Sequence, residues 1–282
     1  MKVTKITLVP TLRKYNRKNL VKDIITGIII MAVSIPISMG YAQIAGLPPV
    51  YGLYGSILPI LLFAIFSTSR QFIFGVDAAP AALAGSALLS LGIVPGSEAA
   101  LNYIPLLALL TGLWLFFFYI IKADRIVNFI STPVMGGFIS GIALTIILMQ
   151  IPKLMGSSAG SGEIIELAEH IYSASQNIHW LSLELGLGTL LIIRVFKKLI
   201  PKFPIAILIM ATGVLCTTAF HADAKGVLLL DSVSTGLPAF FLPDFSQVDL
   251  TQAAGRGLII ALVIMAETLL AENNFAFRNG YT

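Results

Sequence analysis

Long apolar runs separated by short polar segments dominate the chain. A helix needs about 20 apolar residues to cross the hydrocarbon core of a bilayer, so the pattern predicts eight transmembrane spans. The predicted spans 1 to 8 cover about residues 23–45, 49–67, 71–93, 100–121, 129–151, 180–196, 203–220 and 251–274. The polar segment after span 5 mixes acidic and apolar residues, which is typical of a short amphipathic helix at the membrane interface.

Composition places the chain among membrane proteins. Hydrophobic residues make up 57% and charged residues 11% of its 282 residues, and its mean hydropathy is +0.91. Soluble domains carry about 25% charged residues, so we predict an all-α integral membrane protein that has the lipid bilayer as its partner. The composition excludes soluble enzymes, disulfide-rich secreted domains and nucleic-acid-binding proteins. The single cysteine, Cys216, can form no disulfide within the chain.

The positions of the basic residues predict the orientation. Residues 1–22 form a basic tail without acidic residues, and the apolar run that follows is too long for the core of a signal peptide. If the tail is cytoplasmic, every Lys and Arg except Lys153, Lys225 and Arg256 falls on the cytoplasmic side. Because cytoplasmic loops carry such an excess, we predict a multi-pass protein of the cell membrane with a cytoplasmic N-terminus.

Span 3 joins two different kinds of sequence. Residues 71–76 are aromatic and β-branched, whereas residues 77–92 are mostly small. Asp77 has the chemistry of an N-cap and Pro80 suits a first helical turn, so a helix is predicted to begin inside the membrane. If residues 72–76 are extended, they cover roughly 16 Å and place Asp77 near the midplane. The N-terminus of such a half-helix can bind anions, so Asp77 is either a structural cap or a substrate or coupling residue.

Glu267 is a second acidic residue at membrane depth. It follows Arg256 in span 8 by about 16 Å of helix, and a carboxylate in hydrocarbon is by default a functional hypothesis. The chain has no HExxH, P-loop or GxGxxG motif, and the FGVD segment lacks the second intramembrane aspartate of an aspartyl protease. We therefore expect neither an enzyme nor a bound cofactor or metal.

Three features of the spans predict how the helices pack. Pro36 should kink or break span 1, because proline removes a helical hydrogen bond. The aromatic run at 114–119 is predicted to face lipid or to form an interfacial belt. Pairs of small residues four apart predict close helix contacts: Ala81 with Gly85, and Gly137 with Gly141.

Four segments resemble the sulfate permease (SulP) family of anion transporters. They are SIPISMGYAQIAGLPPVYGLYGSILPILLFAIFSTSRQ at 34–71, the GVDAAP that follows, STPVMGGFISG in span 5 and AETLLAENNFAFRNGY at the end. The resemblance covers essentially the whole chain and implies the uracil-permease-like fold, in which two seven-span repeats have inverted topology. This chain would then comprise the first repeat at 23–220, an extracytoplasmic loop at 221–250 and the start of the second repeat, span 8, at 251–282.

The resemblance also implies a substrate pocket between half-helices of spans 3 and 10, with span 1 beside it and a span-8 acid below. Carried onto this chain, the pocket residues are Ser38, Tyr41, Asp77, Ala78 and Ala79, with Glu267 and Asp77 as the proton-coupling residues. The chain departs from the family at Ile37, where glutamine commonly follows the span-1 proline. This change removes a polar contact from the implied pocket.

The implied function is secondary active transport of a small inorganic anion by alternating access. Sulfate is the first expectation and bicarbonate or a dicarboxylate the next, with protons or sodium as the coupling ion. Protonation of Glu267 or Asp77 would remove negative charge that opposes the anion, which makes proton coupling a hypothesis from electrostatics. A nucleobase permease of the same fold and a non-transporting membrane subunit stay open as alternatives.

The family pattern continues past span 8, whereas this sequence stops there. Span 10, the rest of the second repeat and the usual cytoplasmic regulatory (STAS) domain are not in these 282 residues. We therefore expect the chain to be part of a longer protein, and we expect a homodimer for that full-length protein.

Overall fold

A computed structural model describes most of the chain. It covers residues 15–67, 74–123, 132–158, 160, 164–200, 205–229, 233, 236–238, 242, 244 and 248–280. Inside these ranges, only the backbone is described at residues 132, 134–135, 138–139, 206–207, 273–274 and 276–278. Several predictions lie outside the described residues, namely most of the basic tail, residues 72–73 of the extended segment and parts of the loop at 221–250.

The described residues form nine α-helices and, within those ranges, no strand. A 3₁₀ turn at Arg17–Asn19 leads into the first helix. The helices are α1 (Leu20–Ile44), α2 (Pro49–Phe66), α3 (Ala78–Ser90), α4 (Glu98–Ile121), α5 (Thr132–Leu154), α6 (Ile164–Gln176), α7 (Trp180–Leu199), α8 (Ile205–Phe220) and α9 (Leu250–Asn279).

Each of the eight predicted spans overlaps one of these helices. Four helices, α1, α2, α4 and α9, are long and apolar enough by themselves to cross a membrane. Helices α6 and α7 meet this description only as a pair, bent by 116°, while α3 and parts of α5 and α8 are shorter apolar helices. The predicted amphipathic segment between spans 5 and 6 is helical, as α6.

The surface of the bundle is apolar, as expected for helices that face lipid. Val21, Leu58 and Phe116 are 67%, 58% and 63% exposed, and they come from three different helices. A soluble protein rarely exposes so continuous an apolar surface. The described structure therefore agrees with an integral membrane protein.

Helix α3 occupies the centre of the bundle, where it contacts α1, α4, α5 and α9. Its small residues, such as Ala81 and Ala84, are buried and allow the neighbouring helices to approach closely. Larger side chains complete the core around it, including the fully buried Leu88 of α3 and Leu106 of α4. Tyr103, also buried, accepts a hydrogen bond from Arg256 of α9 at 3.2 Å.

Several turns meet at one end of the bundle, which we call the Gly46 end. The backbone N–H of Gly96, between α3 and α4, donates to the carbonyl of Gly46, between α1 and α2, at 2.8 Å. Gly46 has a φ of +78°, a conformation that favours glycine. The topology prediction places this end on the extracytoplasmic side.

Pro36 was predicted to kink or break span 1, and the structure shows that it does not break the helix. Helix α1 continues from Leu20 to Ile44 with Pro36 inside it. A single proline removes one backbone hydrogen bond, and a transmembrane helix tolerates this where neighbouring helices and hydroxyl side chains support the backbone. Near the proline, the Ser38 hydroxyl donates to the backbone carbonyl of Ser34, one turn earlier, at 2.6 Å.

The prediction for the aromatic run at 114–119 is correct for only part of it. Trp114 donates its indole N–H to the carbonyl of Ala254 in α9 at 2.9 Å, and Phe118 is only 8% exposed. These two residues pack against α9, whereas Tyr119 is 79% exposed. Helical periodicity explains the difference, because residues four apart share one face and the next residue points elsewhere.

The orientation of the bundle can be tested with single cysteines in a Cys216→Ala background. Ser158 lies near the Gly46 end and Lys198 near the end of α7, and both are exposed. We expect a membrane-impermeant thiol reagent to label Ser158→Cys in intact cells and Lys198→Cys only after permeabilisation. The reverse pattern would contradict the cytoplasmic N-terminus.

Candidate functional site

Helix α3 begins inside the bundle, directly after Asp77. Residues 74–77 are not helical, and Asp77 has an extended backbone with φ −127° and ψ 148°. Its carboxylate oxygen Oδ1 accepts a hydrogen bond from the N–H of Ala78 at 2.6 Å. The predicted N-cap is therefore confirmed, and Pro80 lies in the first turn as predicted.

The first turn of α3 has one backbone donor without a partner among the described residues. Ala78 donates to the Asp77 side chain, Pro80 has no N–H, and Ala81 donates to the Asp77 carbonyl at 3.3 Å. The remaining donor is the N–H of Ala79. Because a helix N-terminus carries partial positive charge, this N–H is suited to bind an anion.

A cavity of about 480 Å³ lies beside the start of α3. Asp77 and Glu267 both line it, and their carboxyl groups are close enough to interact electrostatically. Glu267 Oε2 is buried and has no hydrogen-bond partner in the described part of the chain. Two neighbouring carboxylates repel each other when both are ionised, and the uptake of one proton removes that repulsion.

Two of the predicted pocket residues, Asp77 and Glu267, line this cavity, and three others lie near Asp77. Tyr41 of α1 is half-buried and close enough to Asp77 for an electrostatic interaction. Ala78 and Ala79 begin the first turn of α3, but Tyr41, Ala78 and Ala79 are not among the described residues that line the cavity. Tyr41, Ala78, Ala79, Asp77 and Glu267 thus come together, and their roles in binding or coupling stay predictions.

Ser38 lies where α1 contacts α2. It is fully buried, and its hydroxyl lies 2.5 Å from that of Ser56 in α2. It is not among the residues that line the cavity at Asp77. Its neighbour Ile37, where the family commonly has glutamine, is 44% exposed.

Sequence reasoning missed other cavity residues on α9. Ile264, Thr268 and Ala271 line the cavity together with Glu267. These positions follow the spacing of one helical face. Given Glu267 as a candidate, the helical spacing alone could have predicted that these three residues share its face.

Within the described ranges, no cluster of side chains has the composition of a metal site. No group of three or more His, Cys, Asp or Glu side chains in these ranges is arranged to bind a metal ion. Among the described residues that line the cavity, the titratable groups are the carboxyls of Asp77 and Glu267. Such a site can exchange protons and bind a small ion.

Comparison with known proteins identifies the family. The model of the sulfate permease family matches residues 20–282, nearly the whole chain. The chain belongs to the sulfate permease family. Its named relatives are transporters rather than enzymes.

Two curated relatives show the extent of the similarity. A probable sulfate transporter of Mycobacterium tuberculosis is 28% identical over 272 residues, which cover 95% of this chain and 48% of that protein. The chloroplastic sulfate transporter 4.1 of Arabidopsis thaliana is 30% identical over 269 residues, covering 90% of this chain and 38% of that protein. The chain thus spans about half or less of the length of these relatives.

Solved structures establish the fold. The murine anion transporter Slc26a9 in its inward-facing state matches with a TM-score of 0.82 and 20% identity, over 98% of this chain and 50% of that one. The transmembrane domain of a cyanobacterial bicarbonate transporter, BicA, matches with a TM-score of 0.72 and 19% identity, over 89% of this chain and 64% of that one. The uracil-permease-like inverted-repeat fold is therefore confirmed.

Proposed function

We propose that the protein containing this chain is a secondary active transporter of a small inorganic anion, with sulfate as the first candidate. Family membership supports anion transport, and the names of the two curated relatives support sulfate. We further propose that it acts in the cell membrane and moves its substrate together with protons. The transport step would be alternating access, in which the anion is exposed first to one side of the membrane and then to the other.

The observation that carries the proposal is that Asp77 and Glu267 line one cavity at the start of α3. The partial positive charge of this helix end favours an anion bound beside it. Both carboxylates oppose that anion while they are ionised. A proton taken up by the pair lowers this opposition, so anion and proton favour each other's binding.

This reciprocity gives the direction of the pH dependence. Where the pH is low, the carboxyl pair takes up a proton and the anion binds more tightly. Where the pH is high, the proton leaves and the anion is released. A pH gradient would therefore drive the anion toward the alkaline side.

Uptake into proteoliposomes of the full-length protein tests the proposal. We expect saturable uptake of labelled sulfate that is faster when the outside is acidic than when both sides have equal pH. Labelled uracil in parallel reactions distinguishes the nucleobase permease, which would take up uracil and not sulfate. The absence of uptake for sulfate, bicarbonate and dicarboxylates from correctly inserted protein would contradict the proposal and favour a non-transporting subunit.

A further inference from the structure

Lys153 is a half-buried cation far along the chain from the carboxyl pair. It lies in the last turn of α5, at the Gly46 end of the bundle. Its ammonium group donates to the side-chain oxygen of Gln43 in α1 at 2.8 Å. An ammonium group has three donors, and no other acceptor for it is found within the described ranges. The only partner described for this charge is therefore a neutral amide.

The surroundings of Lys153 form a cavity of about 860 Å³. Among the described residues that line this cavity, none is acidic and Lys153 is the only charged one. The same cavity is also lined by hydroxyl residues from the turn after α5 and from α7, of which Ser182 is hydrogen-bonded to His179. These hydroxyl residues are Ser157, Ser158 and Ser182.

A half-buried ammonium without a carboxylate carries a cost in free energy. Partial removal from water weakens its hydration, and one bond to an amide replaces only part of what is lost. A mobile anion in the cavity would supply the missing negative charge. Charge-assisted hydrogen bonds from an ammonium to an anion are stronger than bonds between neutral groups.

A second cavity borders this one and is lined in part by the first turns of α3. It has a volume of about 450 Å³ and shares four lining residues with the first: Gln43, Gly46, Pro95 and Ser158. It is also lined by Ala79, whose backbone N–H has no partner among the described residues. The two cavities thus share part of their walls between Lys153 and the first turn of α3.

We propose that Lys153, Gln43 and the neighbouring serine hydroxyls form a separate anion-binding site at the Gly46 end of the bundle. The site takes a small oxyanion from solution, and the ammonium exchanges its bond with Gln43 for a bond with the anion. The bound ion then lies beside the second cavity, which Ala79 lines. The choice of sulfate as the ligand rests on the proposed function, whereas the site itself rests on the cavity and its cation.

Acylation of lysine side chains tests the site without requiring transport. Purified full-length protein is treated with an amine-acetylating reagent at increasing sulfate concentration, and modification of each lysine is quantified by peptide mass spectrometry. We expect sulfate to slow the acetylation of Lys153. Lys225, which is exposed and does not line the cavity, is the internal control for general screening and should react at an unchanged rate. Equal rates for Lys153 with and without sulfate would overturn the proposal.

Transport kinetics test the consequence of the site. We expect Lys153→Gln to raise the half-saturating sulfate concentration on the Gly46 side by about tenfold, because a charged donor to the anion is lost. The maximal rate and the half-saturating concentration on the opposite side should change little. Lys153→Arg keeps the charge and should restore most of the affinity, and Lys225→Gln should behave like the wild type.

The two experiments separate this inference from the proposed function. If wild-type protein transports sulfate while Lys153→Gln has unchanged affinity on both sides, the site is wrong and the transporter stands. If the wild-type protein transports no anion but sulfate protects Lys153 from acetylation, the site stands and the proposed function fails. A loss of maximal rate with unchanged affinity in Lys153→Gln would assign the residue to helix packing instead.

Discussion

Glu267→Gln in the full-length protein is expected to insert normally and to lose uptake that depends on a pH gradient. Glutamine has nearly the same shape as glutamate but takes up no proton, so the pair at the cavity keeps its packing and loses its proton exchange. One oxygen of Glu267 is buried without a described partner, so the neutral side chain should not destabilise the helix bundle. We expect the initial rate of proton-driven sulfate uptake to fall by about tenfold or more, equal to roughly 1.4 kcal/mol in the barrier.

Two further variants make this result specific. Glu272→Gln changes a carboxylate on the same helix, five residues further along, that does not line the cavity, and it should transport like the wild type. Asp77→Asn keeps an N-cap residue of similar strength while removing the second charge of the pair, so it should fold and show altered pH dependence. Wild-type uptake at every pH in Glu267→Gln would exclude Glu267 from coupling and leave it a packing role.

The helices were predictable from the sequence because lipid imposes a simple requirement. Every backbone group in hydrocarbon must be hydrogen-bonded internally, so a long apolar run is a helix whatever surrounds it. The start of α3 was also predictable, because Asp77 and Pro80 carry local signals for the first turn of a helix. The continuity of α1 through Pro36 was not, since it depends on neighbours that the sequence of α1 does not reveal.

The candidate site was predictable only in part. The sequence placed Asp77 and Glu267 at similar depth, but their contact in one cavity joins residues far apart in the chain. That pairing came from the family resemblance rather than from the local pattern. The Ser38 hydroxyl bonds within α1 and to Ser56 of α2, and its role in substrate binding stays a prediction.

Two pairs of small residues predicted close helix contacts, and among the described residues only one pair makes such a contact. Gly85, of the pair with Ala81, lies directly against the backbone of Ile44. Gly137 and Gly141 have the same spacing, but no described atom lies within 4 Å of the position where a Cβ would be. The spacing marks a face where close approach is possible, and only the tertiary arrangement decides whether a helix lies there.

Gly85→Ala and Gly52→Ala are expected to prevent correct folding. A Cβ on Gly85 in α3 would overlap the carbonyl oxygen of Ile44, and a Cβ on Gly52 in α2 would overlap that of Ser38. Both obstructing atoms belong to the backbone of α1, so they cannot rotate aside as a side chain can. Overpacking a core typically lowers the free energy of unfolding by about 1–3 kcal/mol. We expect each of these two variants to lose at least the upper value of this range.

The consequence would extend to the site, because α1 carries Tyr41 and α3 begins at Asp77. We expect low yield, a lower thermal midpoint and aggregated material in size-exclusion chromatography. Gly112→Ala is the matched control, since Gly112 is also inside a helix and no described atom lies within 4 Å of its added Cβ. This control should be neutral or slightly stabilising, because alanine is the better helix former by about 1 kcal/mol. If Gly85→Ala and Gly52→Ala were as stable as Gly112→Ala, α1 could not lie as close to α2 and α3 as the structure places it.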